Sequence, residues 1–221
     1  ATGTNAVDLA GVTNAVTINL GTGADTVMLS GAADDVNLSS TASVDNLEYT
    51  ESTSTTAIAT VSNFAFGSGT DVIQIDLTDM EANGAHTAAR ETDLVMGNSG
   101  SYVAGDALIK EVSGATTLAA GSDVLVFTRS TYADTSAIVT AVNGGTDTIT
   151  TAIVWTANNA TLAFYSDGTD MYLAMITYIN SGTAATAWDS NDDCEAKNLM
   201  KFEGVTSISS GDIATGDILI V

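Results

Sequence analysis

Two short segments of the sequence place an aspartate after a pair of alternating glycines. The first runs Gly21-Thr22-Gly23-Ala24-Asp25 and the second runs Gly67-Ser68-Gly69-Thr70-Asp71. Glycine lets the backbone turn its carbonyl oxygens toward one point, and carbonyl and carboxylate oxygens are the ligands that Ca²⁺ prefers. The alternative is a plain turn, in which the aspartate accepts hydrogen bonds from nearby backbone amides. We favour calcium at both segments, and the predicted ligands are Gly21, Gly23, Asp25, Gly67, Gly69 and Asp71.

Other aspartates stand in related but weaker patterns. Asp34 and Asp35 are adjacent within the same part of the chain, but the residues before them lack the alternating glycines. We include both as predicted metal ligands. Asp123, Asp147 and Asp170 each follow Gly-Ser or Gly-Thr at the start of an apolar run, and for these three turn chemistry is favoured over calcium.

An acidic segment near the C-terminus has oxygen ligands at alternate positions. Asp189, Asn191 and Asp193 are spaced like the first ligands of an EF-hand loop. The sixth and twelfth positions of that loop would be Cys194 and Met200, where an EF-hand requires glycine and glutamate. An EF-hand is therefore excluded, and a looser metal site formed by the three oxygen-bearing residues is predicted.

The charge balance also favours bound cations. The chain has 27 Asp and Glu residues against 5 Lys and Arg, a formal net charge of -22. Such a surface argues against nucleic acid and anionic membranes as partners. It also repels itself unless counter-ions are held, and Ca²⁺ is the expected cofactor. The alternative is a generally acidic, salt-tolerant surface.

The sequence offers little for catalysis. His86 is the only histidine, which excludes a histidine-rich zinc site and leaves one candidate general base. Neither a G-x-S-x-G nor an H-E-x-x-H motif occurs. Cys194 lies among acidic residues, which disfavour the thiolate. We therefore expect no enzymatic activity.

A nine-residue repeat positions the first candidate ligands. Aligned segments begin at Thr13, Thr22 and Gly31. One apolar column contains Ile18, Val27 and Val36, and another contains Leu20, Leu29, Leu38 and Leu47. A short fixed period with constant apolar columns is typical of stacked parallel β-coils, since each turn buries its side chains against the next. Residues 1–50 are predicted to form such a nonapeptide-repeat coil, like a β-roll or β-helix.

The rest of the chain is predicted to be a β-rich, sandwich-like domain over residues 58–221, after a polar linker at 50–57. Apolar alternation predicts most of its strands. One helix is predicted to start with the segment Ser130–Asp134 and to run to about Val142, before Asn-Gly-Gly, and a second short helix is predicted near 78–82. Residues 181–198 are predicted to be an acidic loop. The fold class is therefore mostly β with one or two short helices.

The sequence shows no disulfide pair, membrane-spanning run or leader peptide that would indicate its cellular location. Cys194 is the only cysteine, so no internal disulfide forms. No apolar run reaches the roughly 18 residues of a membrane-spanning helix. No leader peptide is visible and the chain opens at Ala1, so we expect a processed product or a fragment of a longer protein.

These residues resemble the calcium-binding RTX-like proteins exported by type I secretion, and among them bacterial surface-layer (S-layer) proteins. The matching stretches are Gly21–Leu38 and Val61–Leu77, and the second resembles the segment that commonly follows RTX repeats. Leu162–Met175 is similar to a hairpin near the C-terminus of such proteins. Gly216–Val221 is similar to the acidic and then aliphatic tail of type I secretion signals.

The resemblance implies an extracellular structural protein, a calcium-stabilised and self-assembling subunit of a cell-surface assembly of the S-layer kind. The alternative is an adhesin, or the non-catalytic secretion domain of a larger exoprotein. The implied partners are other copies of the chain, as a homo-oligomer or lattice, and cell-surface polysaccharide. Nucleic acid and membrane insertion are not expected.

Overall fold

The structure, a computed structural model, describes residues 3–39, 43–49, 58–67, 69–75, 105–106, 109–118, 124–155, 160–178, 185–187, 194–214 and 216–220. Within these ranges the elements are β1 (Ala6–Asp8), β2 (Thr17–Asn19), β3 (Thr26–Leu29), β4 (Asp35–Asn37), β5 (Asn46–Tyr49), β6 (Ala59–Ser62), β7 (Val72–Ile75), β8 (Gly105–Asp106), β9 (Ile109–Val112), β10 (Thr116–Leu118), β11 (Val124–Phe127), α1 (Thr135–Val142), β12 (Ile149–Trp155), β13 (Ala160–Ser166), β14 (Met171–Tyr178), β15 (Ala185–Ala187), β16 (Cys194–Phe202) and β17 (Ile218–Ile220). The prediction of a mostly β chain is confirmed.

The first seven strands alternate between two sheets. Sheet A has the order β1-β3-β5-β7-β17-β8, and sheet B has the order β2-β4-β6-β16-β14-β13-β11-β9. Within the first seven strands, every pair of sheet neighbours runs parallel. β2, β3 and β4 begin at residues 17, 26 and 35, so one nine-residue repeat supplies one strand and consecutive repeats serve opposite sheets.

Later strands extend the same two sheets. β17 adds to sheet A in parallel with β7, and β16 adds to sheet B in parallel with β6. β16 then pairs antiparallel with β14, and β14 with β13. A third sheet has the order β10-β12-β15. β5 and β7 pair directly although they flank the linker predicted at 50–57; that linker lies outside the described residues and stays a prediction.

The main apolar core contains residues of both large sheets. The predicted columns point into it, because alternate residues of a strand face the same side. The buried column residues are Val27, Leu29, Val36, Leu38 and Leu47. Ile18 and Leu20 are only partly buried against this core, since β2 is an edge of sheet B among the described strands.

One column assignment is wrong. Leu47 was expected to align with Leu29, but the strand register pairs it with Val27, and Tyr49 pairs with Leu29. The segment between β4 and β5 is longer than the repeat allows, which moves the register by two residues. A two-residue shift keeps the same side chains facing the core, so burial is preserved while the column changes.

The helix and the hairpin were predicted close to where they occur. Asp134 caps α1, and its carboxylate accepts a hydrogen bond of 2.9 Å from Ala137 N. The β13–β14 hairpin turns at Gly168, where φ is 96°. The predicted second helix near 78–82 lies outside the described residues. A second, smaller core packs α1 and the opposite faces of β13 and β14.

The acidic loop expected at 181–198 is wrong in two places, because β15 occupies Ala185–Ala187 and β16 begins at Cys194. Its apolar residues come late, and Leu199, Met200 and Phe202 are all buried. The first residues of β16 do not alternate regularly between apolar and polar. They form a strand because β16 pairs with β14 from Cys194 to Phe202. In the part of the chain that the structure describes, no helix has the length and apolar character needed to cross a bilayer.

Candidate functional site

Three aspartates stand one above another at the entrance to neighbouring strands of sheet A. Asp25, Asp45 and Asp71 each directly precede a strand, and the strand register aligns them. Their side chains are 1%, 1% and 2% exposed. We call Asp25, Asp45 and Asp71 the aspartate ladder. Sequence patterns had assigned Asp25 and Asp71 to separate turns, and the structure brings them into one row with Asp45 between them.

Hydrogen bonds connect each rung of the ladder to the next. Asp25 N donates to Asp45 Oδ1 at 2.9 Å, and Asp45 N donates to Asp71 Oδ1 at 2.9 Å. At the end of the row, Asn5 donates to Asp25 Oδ1 from both its backbone nitrogen and its Nδ2, each at 2.7 Å. The carboxylates therefore satisfy strand-entry amides that would otherwise be buried without acceptors.

The second carboxylate oxygen distinguishes the rungs. Asp71 Oδ2 accepts a bond of 2.8 Å from Ala65 N, in the turn before its own strand. Asp25 Oδ2 and Asp45 Oδ2 are buried and accept no hydrogen bond from the described part of the chain. Two neighbouring rungs thus each have one oxygen free for another ligand.

Asp217 adds a fourth carboxylate beside the ladder. It precedes β17, is 1% exposed, and lies one residue out of register with Asp71. Its Oδ2 accepts bonds from Gly67 N at 2.8 Å and Ala214 N at 2.9 Å. Gly67, predicted as a calcium ligand, is therefore a donor to a carboxylate here through its backbone nitrogen.

Burial disfavours the charged form of these carboxylates. Burial is the largest influence on Asp45, Asp71 and Asp217, and it raises the pKa of each above its ordinary value. Backbone amides that donate to the carboxylates oppose this rise. Repulsion from Asp71 and Asp25 adds to it at Asp45, and repulsion from Asp217 adds to it at Asp71. The row is electrostatically unfavourable unless protons or cations neutralise it.

This electrostatics predicts an unusual pH dependence of stability. A carboxyl group whose folded-state pKa is raised binds its proton at a higher pH in the folded than in the unfolded chain. The folded state then holds more protons, and stability rises as pH falls through the folded pKa. In calcium-free buffer we expect the melting temperature to rise as pH falls from neutrality toward the ordinary carboxyl pKa of 3.8.

The comparison that isolates the ladder is Asp45→Asn, which removes one of the titrating groups and should flatten the rise. Asp167 and Asp212 have lowered pKa values, so these two groups lose their contribution to stability on acidification. That loss begins as pH falls toward the ordinary carboxyl pKa of 3.8 and continues below it. Melting curves by circular dichroism above pH 4 test the ladder. A melting temperature that falls steadily with acidification, equally in both proteins, contradicts this electrostatic description.

Asp34 plays the corresponding structural part in sheet B. It is fully buried, and its Oδ1 accepts a bond from Val16 N at 3.0 Å. Its Oδ2 accepts bonds from Ser30 N at 3.0 Å and Ser30 Oγ at 2.7 Å. Asp35, the next residue, begins β4 and is exposed. The two adjacent acids therefore face different environments, and the structure does not bring them together.

The glycines of the two predicted sites have clear backbone roles. A Cβ atom on Gly23 would lie 2.7 Å from the carbonyl oxygen of Gly3, so this position permits close approach of two turns. Gly69 has a φ of 76° in the turn before Asp71, a conformation that favours glycine. In the same turn Thr70 Oγ1 donates to the carbonyl oxygen of Gly67.

The remaining aspartate turns make local contacts. Asp147 is fully buried and accepts bonds from Tyr132 Oη at 2.7 Å and Thr146 Oγ1 at 3.0 Å. Burial, followed by this bond, raises the pKa of Tyr132 to about 12. Asp170 accepts a bond from Gly204 N at 2.8 Å and lies 3.3 Å from Lys201 Nζ. Asp123 lies outside the described residues.

Several sequence predictions cannot be placed. Asp189, Asn191 and Asp193 lie outside the described residues, as does His86. Among the described residues, no three His, Cys, Asp or Glu side chains converge in a group that could hold a metal ion. A site on the ladder would therefore use two carboxylates together with oxygens of other kinds. The absence of enzymatic activity stays a prediction.

Sequence patterns missed Asp45 and Asp217. In a fixed nine-residue register Asp45 falls in an apolar column, so that register hides its position at the start of a strand. The available signal was an aspartate directly before an alternating strand, as in Asp45-Asn-Leu-Glu-Tyr. Asp25 and Asp71 show the same arrangement.

No family model matches the chain, and neither a curated protein nor a solved structure gives a significant match.

Proposed function

We propose that the chain is a secreted structural protein: a calcium-stabilised, self-assembling subunit of an extracellular, S-layer-like surface assembly. The observation that carries this proposal is the buried aspartate ladder inside a stack of parallel strands. Such a row of like charges needs compensation, and Ca²⁺ bound by oxygen ligands supplies it. The finer description of residues 1–50 as a β-roll-like coil belongs to the same proposal.

The surface charge supports the calcium half of the proposal. The chain has 27 acidic side chains and 5 basic ones, so acidic faces of neighbouring copies would repel each other. Divalent cations between such faces would convert repulsion into contact. Self-assembly is therefore expected to depend on calcium concentration.

The edge strands of the two large sheets support the proposed self-assembly. β1 and β2 are both edge strands, and each has a single neighbour in its sheet. Short exposed edges present unpaired backbone groups that can pair with another chain. Because the two edges belong to successive strands of the coil, a second copy could continue both sheets.

A comparison of melting with Ca²⁺, with EGTA and with Mg²⁺ tests this function, followed by electron microscopy of the same samples. A ligand that binds only the folded state at 100 times its Kd stabilises it by about 2.7 kcal/mol. For a chain of this size that corresponds to a rise in Tm of roughly 5–10 °C. We expect this rise with Ca²⁺ alone, together with ordered sheets or filaments.

Identical melting curves in the three buffers would refute calcium stabilisation. A calcium-dependent rise with monomers only would instead favour the adhesin or secretion-domain alternative over a surface lattice.

A further inference from the structure

Two buried carboxylate oxygens in the coil have no hydrogen-bond donor, and both belong to the aspartate ladder. They are Asp25 Oδ2 and Asp45 Oδ2, on side chains that are each 1% exposed. A charged oxygen removed from water without a partner is strongly destabilising. Something other than the described backbone amides must therefore satisfy these two atoms.

In the other buried carboxylates of the stack, the corresponding oxygen accepts a hydrogen bond. Asp71 Oδ2 accepts from Ala65 N, and Asp217 Oδ2 accepts from Gly67 N. On sheet B, Asp34 Oδ2 accepts from Ser30. In each case a turn of the chain supplies the donor. Within the stack, the first two ladder rungs lack such a donor. Outside the stack, Asp147 Oδ1 also lacks one, but the guanidinium of Arg129 lies 3.9 Å from it.

We propose that Asp25 Oδ2 and Asp45 Oδ2 together bind one Ca²⁺ ion inside the coil. The site rests on the calcium-stabilised function proposed above and adds to it a ligand, Asp45, that lies outside every glycine–aspartate turn. Two carboxylates carry the charge that one divalent ion neutralises. Further oxygen ligands, including water, would complete the six to eight that calcium prefers.

The spacing of the rungs favours calcium over magnesium. Adjacent strands of a sheet lie about 4.8 Å apart, and the bond from Asp25 N to Asp45 Oδ1 shows that the two rungs are in register. An ion midway between equivalent oxygens would lie about 2.4 Å from each. That distance falls within the roughly 2.3–2.6 Å of calcium–oxygen bonds and exceeds the roughly 2.0–2.1 Å of magnesium–oxygen bonds.

The asparagine that lies beside Asp25 at the end of the row indicates which variant should fold without the ion. Asn5 already occupies the position beside Asp25, and its Nδ2 donates to Asp25 Oδ1 at 2.7 Å. Asp45→Asn keeps an oxygen to accept from Asp25 N and adds an amide that can donate to Asp25 Oδ2. The variant should therefore melt in EGTA at or above the temperature of the unmodified chain.

Calorimetric titration of the full chain with CaCl₂, paired with melting curves in Ca²⁺ and EGTA, tests the site. We expect a Kd of about 10⁻⁴–10⁻³ M, typical of extracellular calcium sites. Asp45→Asn and Asp25→Asn should each raise this Kd at least about tenfold and remove most of the calcium-dependent gain in Tm. Asp8→Asn, which removes an exposed carboxylate on β1 outside every predicted metal site, is the matched control and should leave the Kd unchanged.

The outcomes separate this site from the proposed function. If both ladder variants bind calcium as the unmodified chain does, the ladder site is wrong. A calcium-dependent rise in Tm of the unmodified chain and of both variants would still support the proposed function. If the unmodified chain neither binds calcium nor gains stability from it, both proposals fail, and a proton shared by the two oxygens becomes their partner. Asp25→Asn provides the second measurement if Asp45→Asn does not fold.

Discussion

Replacing Asp71 with alanine should lower the free energy of unfolding by about 3–5 kcal/mol. Asp71 accepts hydrogen bonds from Asp45 N and Ala65 N, and it is 2% exposed. Each hydrogen bond to a charged acceptor contributes about 1.5–3 kcal/mol, and removal of the acceptor leaves the buried donor Asp45 N and the part-buried donor Ala65 N unsatisfied. Urea unfolding in EGTA, followed by circular dichroism, measures the loss without any contribution from bound calcium.

Two companion variants make the Asp71 result specific. Asp71→Asn keeps one acceptor but turns an amide toward the second donor, so it should also destabilise the chain. This contrasts with Asp45→Asn, whose second oxygen has no donor to lose. Asp35→Ala removes an exposed carboxylate and should change stability by less than about 0.5 kcal/mol. Equal stability of Asp71→Ala and Asp35→Ala would show that the ladder does not stabilise the fold.

The nine-residue repeat predicted the strands of the coil because it encodes two physical requirements at once. Alternate apolar residues, such as Val27 and Leu29, must face one side of a strand. A turn must then bring the next strand, with Val36 and Leu38, to the opposite sheet. Both requirements are local in sequence, so a pattern search detects them. The apolar residues found in this way are buried in one shared core.

The register between turns could not be predicted in the same way. The strands that contain Leu47 and Ile73 follow segments longer than one repeat, so a fixed period misaligns them. Hydrophobic burial tolerates a two-residue shift, because inward-facing residues remain inward. The column of aspartates does not tolerate it, since each carboxylate must meet one particular amide. The ladder is therefore visible only once the strands are paired.

The ladder also suggests why a chain with so much negative charge would bury some of it. Apolar contacts between stacked turns allow more than one alignment, whereas the bond from Asp25 N to Asp45 Oδ1 allows only one. Buried polar groups that fix register at a cost in stability are known from coiled coils. In this chain the cost takes the form of like-charge repulsion, and bound calcium is the proposed means of reducing it.

The joining of the coil to the later strands rests on a different kind of contact, and its key residue is Phe202. This side chain is fully buried at the end of β16. Its ring centroid lies 5.0 Å from that of Phe64, 5.2 Å from that of Phe66 and 6.1 Å from that of Phe164. Phe64 and Phe66 lie between β6 and β7, and Phe164 lies on β13, so the cluster connects early and late parts of the chain.

Phe202→Ala should therefore lower the free energy of unfolding by about 3–5 kcal/mol, the usual cost of removing a buried phenylalanine. The corresponding fall in Tm is roughly 6–20 °C. The effect should be the same in Ca²⁺ and EGTA, because the rings carry no charge and offer no oxygen ligand to the ion. Val44→Ala, at a side chain that is 43% exposed, should change stability by less than about 0.5 kcal/mol. A loss below about 1 kcal/mol for Phe202→Ala would mean that the coil and the later strands do not share a core.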